Sequence, residues 1–325
     1  MTPDIDDVLE DAHVVDLPLR VPFRGLVSRE AMLFRGPFGW TEFSPFVEYD
    51  DEESSRWLRA AVEFGWQETP PIRRDFIRVN ATIPAIPAEL VESILAGFPG
   101  VRTAKVKVGA GGTSIDDDVA RVAEVRRLLG PEGRIRVDAN GVWNLDEAEH
   151  AVHAFAPYDL EYLEQPCESV EELTELRRRI AYLDISVAAD EGLRKSDDLD
   201  TVEVLDSADL VIVKAAPLGG IRNALSLIER IGLPAVVSSA LDTSVGLSMG
   251  AHLAAAIPEL AYDCGLGTGA LLAADVSREP LLPHDGGIDV RRVEVDPELL
   301  ATWTANPERT DWWIARLRRC LELLD

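Results

Sequence analysis

From residue 76 onward the chain repeats one unit: a short β-branched run, a turn, then a longer segment with apolar residues three and four apart. The runs are Phe76–Thr82, Thr103–Val108, Arg134–Asn140, Leu160–Gln165, Ser186–Glu191, Asp209–Lys214, Pro234–Ser239 and Ala261–Gly267, with helix-like stretches such as Asp117–Leu129 and Asn223–Ile231 between them. Parallel strands need crossover connections, so eight alternating units point to an α/β fold with a parallel sheet. The count fits a closed (β/α)8-type barrel, which usually takes about 250 residues. A doubly wound open sheet is the rival, because strand number alone does not close a barrel.

Both chain ends depart from the alternation. Residues 1–75 carry acidic runs, Pro and Gly punctuation and the aromatic segments Phe34–Trp40 and Phe43–Phe46. They suggest a hairpin followed by a helix near Glu52–Phe64. Residues 281–325 end in a helix with an aromatic patch beginning Asp311-Trp-Trp. The expected division is an α+β capping domain built from 1–75 and 281–325, beside a barrel spanning 76–280.

Acids outnumber bases 58 to 32, for a formal charge of −26. This argues against a nucleic-acid or anionic-membrane surface, which rests on clustered cations. No apolar run reaches membrane-spanning length, and the first residues lack the basic-then-apolar order of a signal peptide, so the expected setting is the cytoplasm. Cys167, Cys264 and Cys320 have no metal-ligand spacing and read as reduced thiols packed as small apolar groups.

Against 28 arginines the chain has four lysines, and Lys105, Lys107 and Lys214 stand at strand ends. Lysine can release and recover a proton near neutral pH where arginine cannot, so an acid/base site is expected. Lys195 reads as ordinary surface. Asp138, Glu164 and Asp190, evenly spaced by 26 residues, fall at the carboxyl ends of three successive strands. In a barrel those ends share one rim, and converging carboxylates require a cation. Oxygen ligands without His or Cys favour a hard ion in a partly open site, hence one Mg²⁺, with Mn²⁺ as a substitute.

Alternation along a strand turns Lys105 and Lys107 the same way, as it does Arg136, Asp138 and Asn140. Arg136 should lie one layer below Asp138, and Asn140 one layer above. In a closed eight-stranded barrel Lys107 and Lys214 face each other across the mouth. The Lys105 ammonium and a metal charge beside Lys107 should lower its pKa toward the working range of a base. Ser238, Ser239, Gly265, Gly267 and Thr268 end the seventh and eighth strands and suit a pocket floor for a small anionic carboxylate.

Other motifs are weaker. Gly246-Leu-Ser248-Met-Gly250 matches a nucleophile elbow but sits within a helical stretch, so it is rejected. His150 and His153 read as a solvated helix face, and Pro217–Gly220 as a structural turn with possible substrate contact.

Together these pieces resemble the enolase superfamily, in its muconate-lactonizing-like branch: Lys105-Val-Lys107, Asp138-Ala-Asn140, Glu164-Gln-Pro166, Asp190-Glu191 and Lys214. The resemblance covers essentially the whole chain. It implies a modified (β/α)7β barrel with an α+β cap, and one Mg²⁺ on Asp138, Glu164 and Asp190. Within the branch, Leu19–Gly25, Asn80-Ala-Thr82, Arg136-Val-Asp138 and Ser238-Ser239 are similar to the o-succinylbenzoate synthase family of menaquinone biosynthesis. That resemblance implies a lyase that dehydrates 2-succinyl-6-hydroxy-2,4-cyclohexadiene-1-carboxylate, with Lys107 as base and then acid, and Lys214 as the cation facing an enediolate. Succinyl-amino-acid racemase shares these residues and stays open, as does muconate cycloisomerisation. A dipeptide epimerase is disfavoured by Gly265-Leu-Gly267, where that group carries Asp-x-Asp. From another class, a Schiff-base aldolase would use Lys214 without the carboxylates, and a non-catalytic metal-binding scaffold is the bland alternative.

Overall fold

The structure, a computed structural model, describes residues 3–190 and 201–324. Glu191 and Lys195 lie outside the described residues. The strands are β1 (His13–Phe23), β2 (Leu26–Gly36), β3 (Gly39–Phe43), β4 (Phe76–Arg78), β5 (Ala81–Ile83), β6 (Thr103–Lys107), β7 (Arg134–Asp138), β8 (Leu160–Glu164), β9 (Ser186–Ala189), β10 (Leu210–Val213), β11 (Ala235–Val237) and β12 (Gly287–Asp289).

Strands β5 to β11 form one parallel sheet in sequence order. The segment expected as an eighth strand closes it with single bridges, Ser238 to Gly265 on one side and Val79 to Cys264 on the other. The supporting bonds are Gly265 N to Val237 O (2.8 Å), Cys264 N to Arg78 O (2.8 Å) and Asn80 N to Cys264 O (2.9 Å). The barrel is therefore the observed α/β solution, and the doubly wound alternative is excluded. The first run divides: Phe76–Arg78 pairs antiparallel with β12, and only Ala81–Ile83 joins the barrel sheet.

Local sequence sets the helix starts. Ser114 accepts from Asp117 N while the Asp117 carboxylate bonds back to Ser114 N, and Asn144 and Glu147 repeat this reciprocal cap. Gly130 ends the first of these helices at φ 73°. The helix Ser244–Ala256, after β11, is buried along its whole length, since the cap covers the side that neighbouring helices would leave wet.

The cap begins as the antiparallel sheet β1-β2-β3, crossed by the helix Asp51–Trp66. The C-terminal helix Pro307–Glu322 packs on that helix, with Trp313 edge-on to Phe43 at 5.8 Å between ring centroids. Its buried Arg316 donates to Phe46 O (3.0 Å) and Ser54 Oγ (2.7 Å), fastening the two chain ends together.

Candidate active site

Strand register brings the charged residues to one level. Lys107 pairs with Asp138, and Asp138 with Glu164, as neighbours across β6, β7 and β8. Asp190 follows β9, and Lys214 follows β10, at the same carboxyl end of the sheet. Lys105 Nζ lies 2.7 Å from Glu164 Oε1 and 3.1 Å from Asp138 Oδ2. Lys107 Nζ bonds Asp138 Oδ2 and also Asn140 Oδ1 at 2.8 Å, while Lys214 Nζ bonds Asp190 Oδ2. Asp138, Glu164, Asp190 and Lys105 are buried, and the two other lysines reach partly into the open.

Burial pushes the Glu164 carboxyl upward, and the Asp138 carboxylate beside it adds to the effect, giving a pKa of about 8. Asp138 is also pushed up by burial, but Lys107 and Lys105 outweigh that and hold it far below the carboxylate range. For Lys105, burial acts downward while Glu164 and Asp138 more than reverse it, so this ammonium is a fixed charge. Among the described residues, Glu164 Oε2 is a buried oxygen with no hydrogen-bond partner. No group of three or more described His, Cys, Asp or Glu side chains is gathered as a metal shell in this conformation. Lysine ammoniums lie against the carboxylates instead.

Over this floor lies a cleft lined by Phe23 and Arg24 from the β1–β2 turn, Phe46 from the cap, and barrel residues including Thr82, Ser238, Ser239, Gly265 and Thr268. Ser239 Oγ donates to Gly265 O (2.8 Å) and lies 2.7 Å from Thr268 Oγ1, so the hydroxyl pair is anchored. The cleft encloses about 40 Å³, room for a few water molecules. Entry of a ring-sized ligand therefore requires part of this lining to move. A larger opening, about 840 Å³, lies by the start of β9; its Glu175–Arg178 and Arg177–Asp209 groups pair with one another instead of converging on a common point.

Two residues of the expected set stand away from the cleft. Arg136 is fully buried below Asp138, donating to Glu161 Oε2 (2.5 Å), Asn80 Oδ1 (3.1 Å) and Asp263 O (2.7 Å), with its guanidinium 4.7 Å from the Tyr162 ring centre. Gly267 packs against the Asn80 carbonyl and the Phe98 ring. Phe46, Ala240 and Leu241 line the cleft without having been singled out in the sequence; the aromatic segment Phe43-Ser-Pro-Phe46 was the available signal.

The weaker motifs resolve structurally. Ser248 is buried in its helix and donates to Arg291 O (2.7 Å), while His150 and His153 are exposed. The turn Pro217–Gly220 leads to a helix whose first amides, Ile221 N and Arg222 N, donate to the cap's Glu63 Oε1 at 3.0 and 3.2 Å.

A family model described as "Enolase C-terminal domain-like" matches residues 88–295, and one described as "Enolase N-terminal domain-like" matches 14–65. The chain belongs to the enolase superfamily. Two relatives named o-succinylbenzoate synthase are similar over nearly their full lengths. That of Mycobacterium leprae (strain TN) is 50% identical, covering 100% of this chain and 95% of its own; that of Mycobacterium marinum (strain ATCC BAA-535 / M) is 47% identical, covering 98% and 96%. Among solved structures, the superfamily fold is matched by muconate lactonizing enzyme from Pseudomonas fluorescens complexed with muconolactone, at TM-score 0.77 and 19% identity, covering 91% of this chain and 98% of that one. The N-succinyl Arg/Lys racemase from Bacillus cereus ATCC 14579 aligns at TM-score 0.74 and 20% identity, covering 91% and 97%. Among the described residues no helix is long and apolar enough to cross a membrane.

Proposed function

We propose that this protein catalyses the o-succinylbenzoate synthase reaction, dehydrating 2-succinyl-6-hydroxy-2,4-cyclohexadiene-1-carboxylate to 2-succinylbenzoate on the route to menaquinone in the cytoplasm. The observation that carries this reading is 50% identity along the whole chain to a synthase, in a chain that keeps both rim lysines.

The donor set fits a divalent ion. Asp138, Glu164 and Asp190 are buried oxygen donors on one rim, Glu164 Oε2 has no hydrogen-bond partner, and no His or Cys lines the cleft among the described residues. Asp138, Glu164 and Asp190 would hold Mg²⁺, which would supply positive charge at the substrate carboxylate. With those carboxylates so engaged, Lys107 and Lys214 would be free to face the substrate.

As a free amine, Lys107 removes the proton α to the substrate carboxylate, breaking the C–H bond. The Lys214 ammonium faces the negative charge that develops there. Protonated Lys107 then passes its proton to the departing β-hydroxyl, the C–O bond breaks, water leaves, and the ring becomes aromatic. The Asn140 carbonyl oxygen, 2.8 Å from Lys107 Nζ, keeps the amine directed into the mouth.

The test is loss of diene absorbance with and without Mg²⁺: turnover that requires the ion is expected, and no turnover with Mg²⁺ or Mn²⁺ would overturn the assignment. A second reading rests on the two lysines themselves, since bases on two sides of one cleft suit racemisation of N-succinyl amino acids. Exchange of the α-hydrogen in D₂O, without diene turnover, would select it.

A further inference from the structure

We infer that Arg24 is the specificity residue for the far end of the substrate, binding a terminal aliphatic carboxylate. This rests on the synthase reading, in which the ligand carries two carboxylates. One faces the rim lysines and the acidic triad. The other needs its own cation, because a carboxylate moved from water into a closed cleft without a partner is strongly disfavoured.

Among the described residues, the cations in and beside the cleft can be assigned one by one. Lys105, Lys107 and Lys214 stand at the reacting end, beside Glu164, Asp138 and Asp190. Arg29, on β2, stacks over Phe46 at 4.5 Å, but it is buried and its nitrogens donate to the carbonyls of Glu30, Ser44, Ala240 and Leu241. Arg24 lines the cleft and is differently placed. Its guanidinium lies 4.3 Å from the centre of the Phe46 ring, and its ion pair with the exposed Glu48 is long, at 3.8 Å. An exposed contact of that length is readily exchanged for a ligand carboxylate.

Backbone geometry fixes where this side chain starts. Arg24 and Gly25 have φ of 52° and 76°, the successive left-handed pair of a two-residue hairpin turn, and Phe23 faces Leu26 across it. Phe23 lies with its ring 5.8 Å from Lys107 Nζ. Adjacent residues of one turn thus line the same cleft, Phe23 over the reacting end and Arg24 against Phe46. A planar guanidinium held against Phe46 presents its edge for two-point binding of a carboxylate, which a lysine cannot reproduce.

The experiment compares wild type, Arg24→Ala and Arg24→Lys, each with Mg²⁺. Binding of 2-succinylbenzoate, and of its analogue with the terminal carboxylate replaced by a carboxamide, is measured by calorimetry alongside turnover. Arg24→Ala should weaken the dicarboxylate about 10- to 100-fold, as for loss of a charged hydrogen bond, and leave the carboxamide within about twofold. Arg24→Lys should fall between, and the turnover defect should lie more in KM than in kcat. Equal weakening of both ligands would reduce Arg24 to a loop-shaping role and overturn the inference, as would no weakening of either. A wild type that neither binds nor forms succinylbenzoate would remove the synthase reading and this assignment with it, whereas an active wild type with equal ligand losses removes the Arg24 assignment alone.

Discussion

Glu42 offers a prediction that separates hydrogen bonding from charge. This buried cap residue accepts with Oε2 from Thr243 N (3.1 Å), Thr243 Oγ1 (2.6 Å) and Gly246 N (3.0 Å), and with Oε1 from Ser44 Oγ (2.6 Å). It therefore caps the barrel helix that follows β11. Glutamine can place its carbonyl oxygen at the three-donor position and turn its amide toward Ser44 Oγ, which can accept. Glu42→Gln should keep the network, whereas Glu42→Ala should leave Thr243 N and Gly246 N unpartnered, at about 1–3 kcal/mol each. Charge adds a pH signature. Burial, and then the neighbouring Asp242 carboxylate, raise the Glu42 pKa from 4.5 to about 7. Between those values the folded state binds more proton than the unfolded chain. The stabilising contribution is complete below the unfolded pKa and is lost as pH rises through the folded one, about 3 kcal/mol in all. Glutamine does not titrate, so its advantage over wild type should grow across that window. Urea unfolding at about pH 5 and about pH 8 measures this difference. Parallel pH profiles for wild type and Glu42→Gln, or an Ala variant as stable as Gln, would refute the reasoning.

Other outcomes follow from the site and its foundations. Lys107→Arg keeps a cation but removes the base, so turnover should fall by about 10²- to 10⁴-fold while circular dichroism and the unfolding midpoint stay near wild type. Arg136→Leu leaves the Glu161 carboxylate and two further acceptors without their buried donor; unfolding should show a loss of about 3–5 kcal/mol. Gly220→Ala puts a Cβ 2.4 Å from Glu63 Oε2 on a residue at φ 122°, and thermal unfolding should report a loss of about 1–3 kcal/mol.

The sequence's strand-end pattern located the rim because alternation and register are local properties. Lys107, Asp138 and Glu164 each end a β-branched run, and parallel pairing sets them side by side. Strand boundaries were less legible. Phe76–Thr82 reads as one run, yet its first half is drawn away by β12, about two hundred residues later in the chain. Arg136 follows the expected alternation, but its partners Glu161, Asn80 and Asp263 come from three other segments, so its burial as a structural brace had no local signal. Glu42 and Glu63 were invisible for the same reason: each caps a helix far along the chain, where no short-range spacing identifies the pair.

Those two carboxylates also say how cap and barrel depend on each other. Glu63 accepts from the first amides of the helix after β10, the strand that delivers Lys214, and Glu42 accepts from the start of the helix after β11, the strand that delivers Ser238 and Ser239. Each meets the positive end of a helix, which attracts a carboxylate, but burial outweighs that pull and raises the pKa of both. Between them Arg29 holds the carbonyls of Ala240 and Leu241, with Leu241 at the left-handed φ of 63°. Strain of that kind persists only where the surroundings impose it, so the shape of this wall of the cleft is set by cap side chains as much as by the barrel. A cap that merely covered the site could be loosened with little effect on ligand affinity; this one cannot, because its Arg29 holds the cleft-wall carbonyls of Ala240 and Leu241 while Glu42 and Glu63 seat the helices that follow β11 and β10.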